Sequence, residues 1–141
     1  MLVSTKGRYA LRLMMEIATK SDNRPVSIKE VSQTQDLPAK YLEQLVRPLA
    51  KAKLLKSVRG QHGGYVLARP VSEISVGEII RASEGDVAPV YCLEDNAEIC
   101  PRRAFCTTLS FWEGLDNVIN DYLDSYTLER LCSADLPLDE Q

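Results

Sequence analysis

The chain has 141 residues, of which 45% are hydrophobic and 26% charged, a composition typical of an ordinary globular protein. No run of about eighteen apolar residues occurs and the first residues lack the apolar stretch of a secretion signal, so we expect a cytoplasmic protein without a membrane span. The net charge of −3 divides unevenly: residues 1–70 carry thirteen Lys/Arg against five Asp/Glu, and residues 71–141 carry four against fifteen. A basic first half of net charge +8 joined to an acidic second half predicts a polyanionic partner for the first half alone.

The first half of the chain predicts three helices. Residues 5–20 place apolar side chains every three to four positions, as an amphipathic helix does. Ser27 and Glu30 form a capping-box pattern, in which Glu30 reaches back to the Ser27 backbone, and this pattern begins a short helix to about Gln35. After a tight turn, residues 39–52 predict a longer helix. Two short helices joined by a turn are typical of a helix-turn-helix.

A β-hairpin is predicted next, from strand-like runs at residues 54–58 and 65–68. Three glycines between the runs permit a protruding tip with positive φ angles. A helix-turn-helix followed by a hairpin is a winged helix-turn-helix, so we predict a mainly α fold with a small β-hairpin wing.

The second half predicts two further helices with a loop between them. Ser75 and Glu78 form a second capping box, and we expect the helix they begin to end near Gly85. Residues 86–106, which we call the cysteine loop, follow. A long helix over residues 108–125 then carries an apolar stripe, which we interpret as a dimerisation surface. The predicted division is a winged domain (1–70), a linking helix and sensor loop (71–107), a dimerisation helix (108–131) and a tail (132–141).

The helix over residues 39–52 is the candidate recognition helix, because N-terminal residues of such a helix meet base edges in the major groove. Gln44 suits adenine, Glu43 accepts from cytosine, and Arg47 suits phosphate or guanine. Arg59 at the wing tip is placed for the minor groove, and exposed cations of the first half are expected at phosphates. Singly, each of these residues is better explained as part of a solvated helix face; together, on a domain of charge +8 with a glycine-tipped wing, they favour DNA. The predicted DNA contacts are Lys6, Arg8, Ser27, Lys29, Lys40, Tyr41, Glu43, Gln44, Arg47, Ser57, Arg59 and Gly60.

Three of the four cysteines, Cys92, Cys100 and Cys106, share the cysteine loop. Clustered cysteines in a cytosolic protein favour metal, cluster or redox chemistry over structural disulfides. Three thiolates suit an iron–sulfur cluster, whereas zinc usually has four ligands at closer spacing. Free or reversibly oxidised thiols remain the alternative interpretation.

Short runs of sequence resemble the IscR/NsrR/CymR-type winged-helix regulators, the Rrf2 family. They are Ser-Thr-Lys-Gly-Arg-Tyr-Ala at residues 4–10, Tyr-Leu-Glu-Gln-Leu at 41–45, and Ser-Val-Arg-Gly at 57–60 followed by Gly-Gly-Tyr at 63–65. The resemblance covers about residues 1–131. It implies a homodimeric transcription factor whose long C-terminal helices pair, with Tyr41, Glu43 and Gln44 in the major groove and Arg59 in the minor groove.

Within this family, the cysteine loop resembles that of the cluster-binding, IscR-like branch, which implies Cys92, Cys100 and Cys106 as ligands of a 2Fe–2S cluster. The fourth ligand departs from the family patterns. Leu109 stands where IscR-like proteins have a histidine, and Arg8 stands near the aspartate of the nitric-oxide sensors. Remaining candidates for that position are Glu94, Asp95, Glu98, Thr107, Thr108 and an exogenous ligand.

Two functional hypotheses follow. The first is a dimeric regulator that binds paired DNA half-sites and senses iron–sulfur cluster status, controlling iron–sulfur or sulfur-metabolism genes. The alternative is a cluster-free, CymR-like repressor of sulfur metabolism, controlled by a partner protein or by thiol oxidation. No catalytic constellation stands out in the sequence, so an enzyme is not expected.

Overall fold

The computed structural model describes residues 3–20 and 24–134 and contains helices, one hairpin and short 3₁₀ turns. The helices are α1 (Thr5–Lys20), α2 (Ile28–Gln35), α3 (Ala39–Lys51), α4 (Val76–Glu84), α5 (Leu109–Ser125) and α6 (Leu128–Cys132). The strands β1 (Leu55–Val58) and β2 (Gly64–Leu67) pair antiparallel, and 3₁₀ turns lie at Val71–Glu73, Tyr91–Leu93 and Arg103–Phe105. This arrangement confirms the predicted mainly α fold with a small hairpin wing. Within the described residues, no helix is long and apolar enough to cross a membrane.

A single main core joins the two halves of the chain. Leu13 and Ile17 of α1 are fully buried together with Leu42 of α3, Ile79 of α4 and Leu128 of α6. Burial of such side chains contributes about 1.5–3 kcal/mol each, so α4 and α6 stabilise the winged half directly. The domain division at residue 70 stays a prediction, and residues 135–141 of the predicted tail lie outside the described residues.

The helix caps agree with the sequence at α4 and differ at α2. At α4, the Ser75 hydroxyl accepts from the backbone of Glu78, and the Glu78 carboxylate accepts in return from the Ser75 backbone. At α2, the Ser27 hydroxyl accepts from the Glu30 backbone at 3.1 Å, but the Glu30 carboxylate binds both terminal nitrogens of Arg24 instead. The reciprocal half of the box predicted at Ser27 is therefore wrong, because a bidentate charged pair is stronger than a hydrogen bond to a neutral N–H. The Arg24 guanidinium lowers the pKa of Glu30 to about 2.

The wing is anchored to the segment that precedes α2. Val26 donates its N–H to the Tyr65 carbonyl at 3.0 Å and accepts from the Tyr65 N–H at 2.8 Å, so it forms a bridge beside β2. Gly64 permits this approach, because a Cβ there would lie 2.4 Å from the Val26 carbonyl oxygen. At the tip, Gly60 has a φ of 119°, which favours glycine. The wing is thus fixed to the helix-turn-helix by backbone hydrogen bonds.

The last long helix, α5, is attached to α4 near its C-terminal end. Arg81 on α4 forms an ion pair with Asp124 at 2.7 Å and donates to the side chain of Asn120 at 2.8 Å. Gly77 permits this packing, because a Cβ there would lie 2.2 Å from the Asp124 carboxylate. None of the residues of α5 is buried, and Val118 is 65% exposed. The apolar side chains of this helix are divided: Leu123 packs on a smaller core cluster with Val76 and Ile80, whereas Phe111, Val118 and Tyr122 are exposed in the single chain.

Candidate nucleic-acid interface and cysteine loop

Helix α3 presents one buried face and one exposed polar face. Leu42, Leu45, Val46 and Leu49 are buried, which fixes the rotation of the helix about its axis. The opposite face carries the exposed side chains of Lys40, Glu43, Gln44 and Arg47, a set that we call the recognition stripe. Their spacing places all four on one face of the helix. The stripe offers both donors and acceptors to a base-pair edge.

Tyr41 lies differently from the other predicted contacts of α3. Its side chain is half-buried, its hydroxyl lies 3.3 Å from the Thr5 hydroxyl, and its ring meets that of Tyr9 edge-on at 5.7 Å between centroids. Tyr41 therefore connects α3 to the first turns of α1. Its contact with DNA stays a prediction, and the sequence did not indicate this second role.

The remaining predicted DNA contacts lie on three separate elements. Lys6 and Arg8 are exposed in the first turns of α1, and Lys29 is exposed in the first turn of α2. Ser57 of β1 and the tip residues Arg59 and Gly60 are exposed on the wing. Ser27 is half-buried as the cap of α2. The Thr5–Tyr41 contact brings the start of α1 beside the start of α3. The predicted contacts of α1 therefore lie next to those of α3.

The cysteine loop is held by Asp86, which is not among the predicted site residues. Asp86 accepts a hydrogen bond from the backbone of Ala88 at 2.8 Å and another from the backbone of Asp95 at 2.6 Å. Aspartate favours such local bonds to the backbone that follows it, which was the available signal. The contact with Asp95 spans nine positions and requires the folded loop.

The thiols of the cysteine loop differ in environment. Cys92 and Cys100 are half-buried, whereas Cys106 is exposed. The Cys106 sulfur lies 3.6 Å from the Thr108 hydroxyl, and hydrogen bonds from Thr108 lower the pKa of the Cys106 thiol. Burial raises the pKa of Cys132, which lies outside the loop. The Cys106 thiol therefore ionises more readily than that of Cys132.

An iron–sulfur cluster requires that its ligands converge on one point. Across residues 3–20 and 24–134, no three His, Cys, Asp or Glu side chains form a group that could hold a metal ion. As placed here, Cys92, Cys100 and Cys106 are not gathered into such a group, and their role as cluster ligands stays a prediction.

Comparison with known proteins assigns the chain to a family. Residues 3–134 match the family model Rrf2, described as an iron-dependent transcriptional regulator. The chain belongs to the Rrf2 family. This confirms the resemblance found in the sequence, and the relatives described next are named as transcriptional regulators.

Relatives from two branches of the Rrf2 family differ in their identity to this chain. The transcriptional regulator CymR of Bacillus subtilis is 45% identical over 133 residues, or 94% of this chain and 91% of that protein. A solved structure of CymR, described as the global cysteine regulator of B. subtilis, matches with a TM-score of 0.77 and 44% identity, over 96% of this chain and 99% of that chain. IscR of Pectobacterium carotovorum is 37% identical over 139 residues, or 99% of this chain and 84% of that protein. The chain is thus more similar to CymR than to this IscR, which favours the CymR-like alternative over the IscR-like branch.

Proposed function

We propose that this Rrf2-family chain is a homodimeric DNA-binding repressor of cysteine or sulfur-metabolism genes that works without an iron–sulfur cluster. The observation that carries the proposal is its 45% identity to CymR across 94% of the chain. Control comes from a partner protein or from thiol oxidation in the cysteine loop. The three loop thiols, which are not gathered into a metal-binding group, agree with this proposal.

DNA binding is supported by the exposed recognition stripe and the wing. The stripe stands on a helix whose other face is buried, so the helix is fixed in rotation and all four side chains project from one exposed face. The wing tip carries Arg59 at a position that the Val26–Tyr65 bridge fixes relative to α2. A helix in the major groove and a cation at the adjacent minor groove or backbone read one half-site.

Dimerisation is supported by the uncovered side of α5. Phe111, Val118 and Tyr122 are each about two-thirds exposed, at 64%, 65% and 65%, and they follow one another at helical spacing. Apolar surfaces of this kind mark interaction sites. A second copy of the chain covers this stripe with its own and presents two recognition stripes to paired half-sites.

The cluster-free hypothesis is tested with anaerobically purified protein and its Cys92→Ser/Cys100→Ser/Cys106→Ser variant. We expect a colourless wild-type protein without iron and sulfide. In a mobility-shift assay with fragments upstream of cysteine-metabolism genes, the triple variant should bind within about twofold of wild type, because none of the three side chains is fully buried and serine is close to cysteine in size. A brown protein with bound iron and sulfide, whose DNA affinity changes when the cluster is removed, would contradict this hypothesis and support the cluster sensor instead.

Replacement of Gln44 or Arg59 by alanine tests the DNA contacts. Each side chain is exposed, so we expect the fold to persist while affinity for the preferred fragment falls about 10- to 100-fold, the usual cost of losing a specific base contact. Gln44→Ala should also reduce the ratio of specific to non-specific binding. Gln33→Ala, an exposed change on α2 outside the stripe, is the matched control and should bind normally. Normal sequence-specific binding by both Gln44→Ala and Arg59→Ala would refute the contact assignment.

A further inference from the structure

The first turn of α1 is capped by a side chain from the far end of α4. Glu84 accepts three hydrogen bonds on one carboxylate oxygen: from the Ser4 N–H at 2.8 Å, the Ser4 hydroxyl at 2.6 Å and the Gly7 N–H at 2.8 Å. Backbone N–H groups at the start of a helix have no partner within the helix, and a negative charge there is favourable to the helix dipole. Ser4 caps the helix locally by accepting from the Lys6 N–H at 3.2 Å, and Glu84 adds from 77 positions away an acceptor for the Gly7 N–H and for Ser4 itself.

The contact is closely fitted on both sides. A Cβ at Gly7 would lie 2.8 Å from the Glu84 carboxylate oxygen and 2.8 Å from a methyl group of Val3. Partial burial acts to raise the pKa of Glu84, but the hydrogen bonds from Ser4 and Gly7 outweigh it and hold that pKa below its ordinary value. The carboxylate is charged at neutral pH and is fixed by three donors.

The turn that Glu84 holds also carries predicted DNA contacts. Lys6 and Arg8 flank Gly7 and are exposed. Thr5, next to Ser4, has its hydroxyl 3.3 Å from that of Tyr41 on the recognition helix. The Glu84 carboxylate therefore holds the turn that carries the cations of α1 and Thr5, the partner of Tyr41.

On its other side, Glu84 adjoins the cysteine loop. Gly85 follows it with a φ of 84°, and Asp86 comes next with its hydrogen bonds to the backbone of Ala88 and Asp95. Only Gly85 separates the cap of α1 from the anchor of the loop. A rearrangement of the loop that pulls on Asp86 acts on Glu84 through one intervening residue.

We propose that Glu84 is the positioning residue through which the state of the cysteine loop reaches the DNA-binding face. The inference rests on the proposed function, because it specifies how that function is regulated. When the loop rearranges and Asp86 gives up its bonds, Glu84 releases Ser4 and Gly7. The first turn of α1 then loosens, so that Lys6 and Arg8 lose their fixed placement. Such a contact acts as a two-state element that both the loop and DNA bias.

The test uses the full chain with Glu84→Ala, Asp86→Ala and the double variant. Hydrogen exchange at the Ser4 and Gly7 amides is measured without DNA. We expect each single variant to speed exchange at these two amides, and the double variant to match Glu84→Ala, since both changes act through the same contact. Glu73→Ala, an exposed acidic residue outside this path, is the control and should leave both amides unchanged. Unchanged exchange in Asp86→Ala, or fully additive effects in the double variant, would overturn the proposal.

DNA binding supplies the second measurement. In Glu84→Ala and Asp86→Ala alike, we expect operator affinity to fall about tenfold and the slope of log K against log salt to decrease by about two per subunit, for the contacts of Lys6 and Arg8. Glu84→Gln, which keeps an acceptor oxygen, should lose less and guards against a folding defect in the alanine variant. If hydrogen exchange is coupled in the variants but the slope of log K against log salt does not change, Glu84 does not act on DNA binding. If the variants show the expected coupling in hydrogen exchange but the wild-type protein binds no operator, the proposed DNA-binding function is wrong. The regulatory role of Glu84 would then be wrong as well, although its contact with α1 would stand.

Discussion

The Val118→Asp/Tyr122→Asp variant is expected to be a folded monomer whose affinity for paired half-sites is lower by about 10²- to 10⁴-fold, the range by which linking two binding modules raises affinity. Both side chains are 65% exposed on α5, which contributes no buried residue within the chain. The substitutions therefore leave the described core intact. In a dimer they place four carboxylates in an apolar contact, where unpaired charges are costly. Sedimentation analysis measures the first effect and a mobility-shift assay the second.

Asn117→Asp provides the control for the monomer variant. Asn117 is exposed on α5 on a different face from Val118 and Tyr122, so the same acidic side chain is added without entering the stripe. We expect this variant to remain dimeric and to bind paired half-sites as wild type does. A double variant that still sediments as a dimer would show that α5 is not the pairing surface.

Gly64→Ala is expected to lower the free energy of unfolding by about 2–4 kcal/mol, the sum of overpacking and two weakened backbone hydrogen bonds. The added Cβ would lie 2.4 Å from the Val26 carbonyl oxygen and 2.9 Å from the Ser27 nitrogen. These are backbone atoms, which cannot turn aside as the end of a flexible side chain does. β2 must therefore move away from Val26, and the Val26–Tyr65 bridge opens.

Denaturant titration measures this loss, and Gln61→Ala is the comparison. Gln61 lies exposed on the same wing, so its replacement should change the free energy of unfolding by less than about 0.5 kcal/mol. Because the bridge positions the wing, Gly64→Ala should also weaken operator binding at temperatures where the protein is still folded. A variant as stable as wild type would show that the wing is not held against Val26.

The sequence predicted those features that depend on neighbouring residues. The box at Ser75 closes within three positions, and the buried and exposed faces of α3 follow from a helical period. The cap that Glu84 places on α1 spans 77 positions, and no local pattern indicates it. Glu30 illustrates the same limit, since the local pattern assigned its carboxylate to Ser27 while the fold brings Arg24 closer.

The residues of the candidate site likewise fall into those that local sequence predicted and those that depend on distant contacts. The recognition stripe was predictable because exposure on α3 follows from the burial of its other face. Tyr41 was not, because its half-burial comes from Thr5 and Tyr9 on another helix. The cysteines were found as a set by their proximity in sequence, but proximity in sequence does not determine whether thiols on a long loop converge.

The junction of Arg81 with Asn120 and Asp124 has a mechanical consequence. It joins α4 to the last turns of α5, a helix of 17 residues, so α5 is an arm attached near one end. From the junction back to Leu109 the arm is about 20 Å long at 1.5 Å per residue, and a tilt of about 10° at the junction displaces its far end by about 3 Å. The step between base pairs is about 3.4 Å along DNA. In a dimer joined through these arms, a small angular change at Arg81 therefore shifts one winged domain by about one base pair relative to the other.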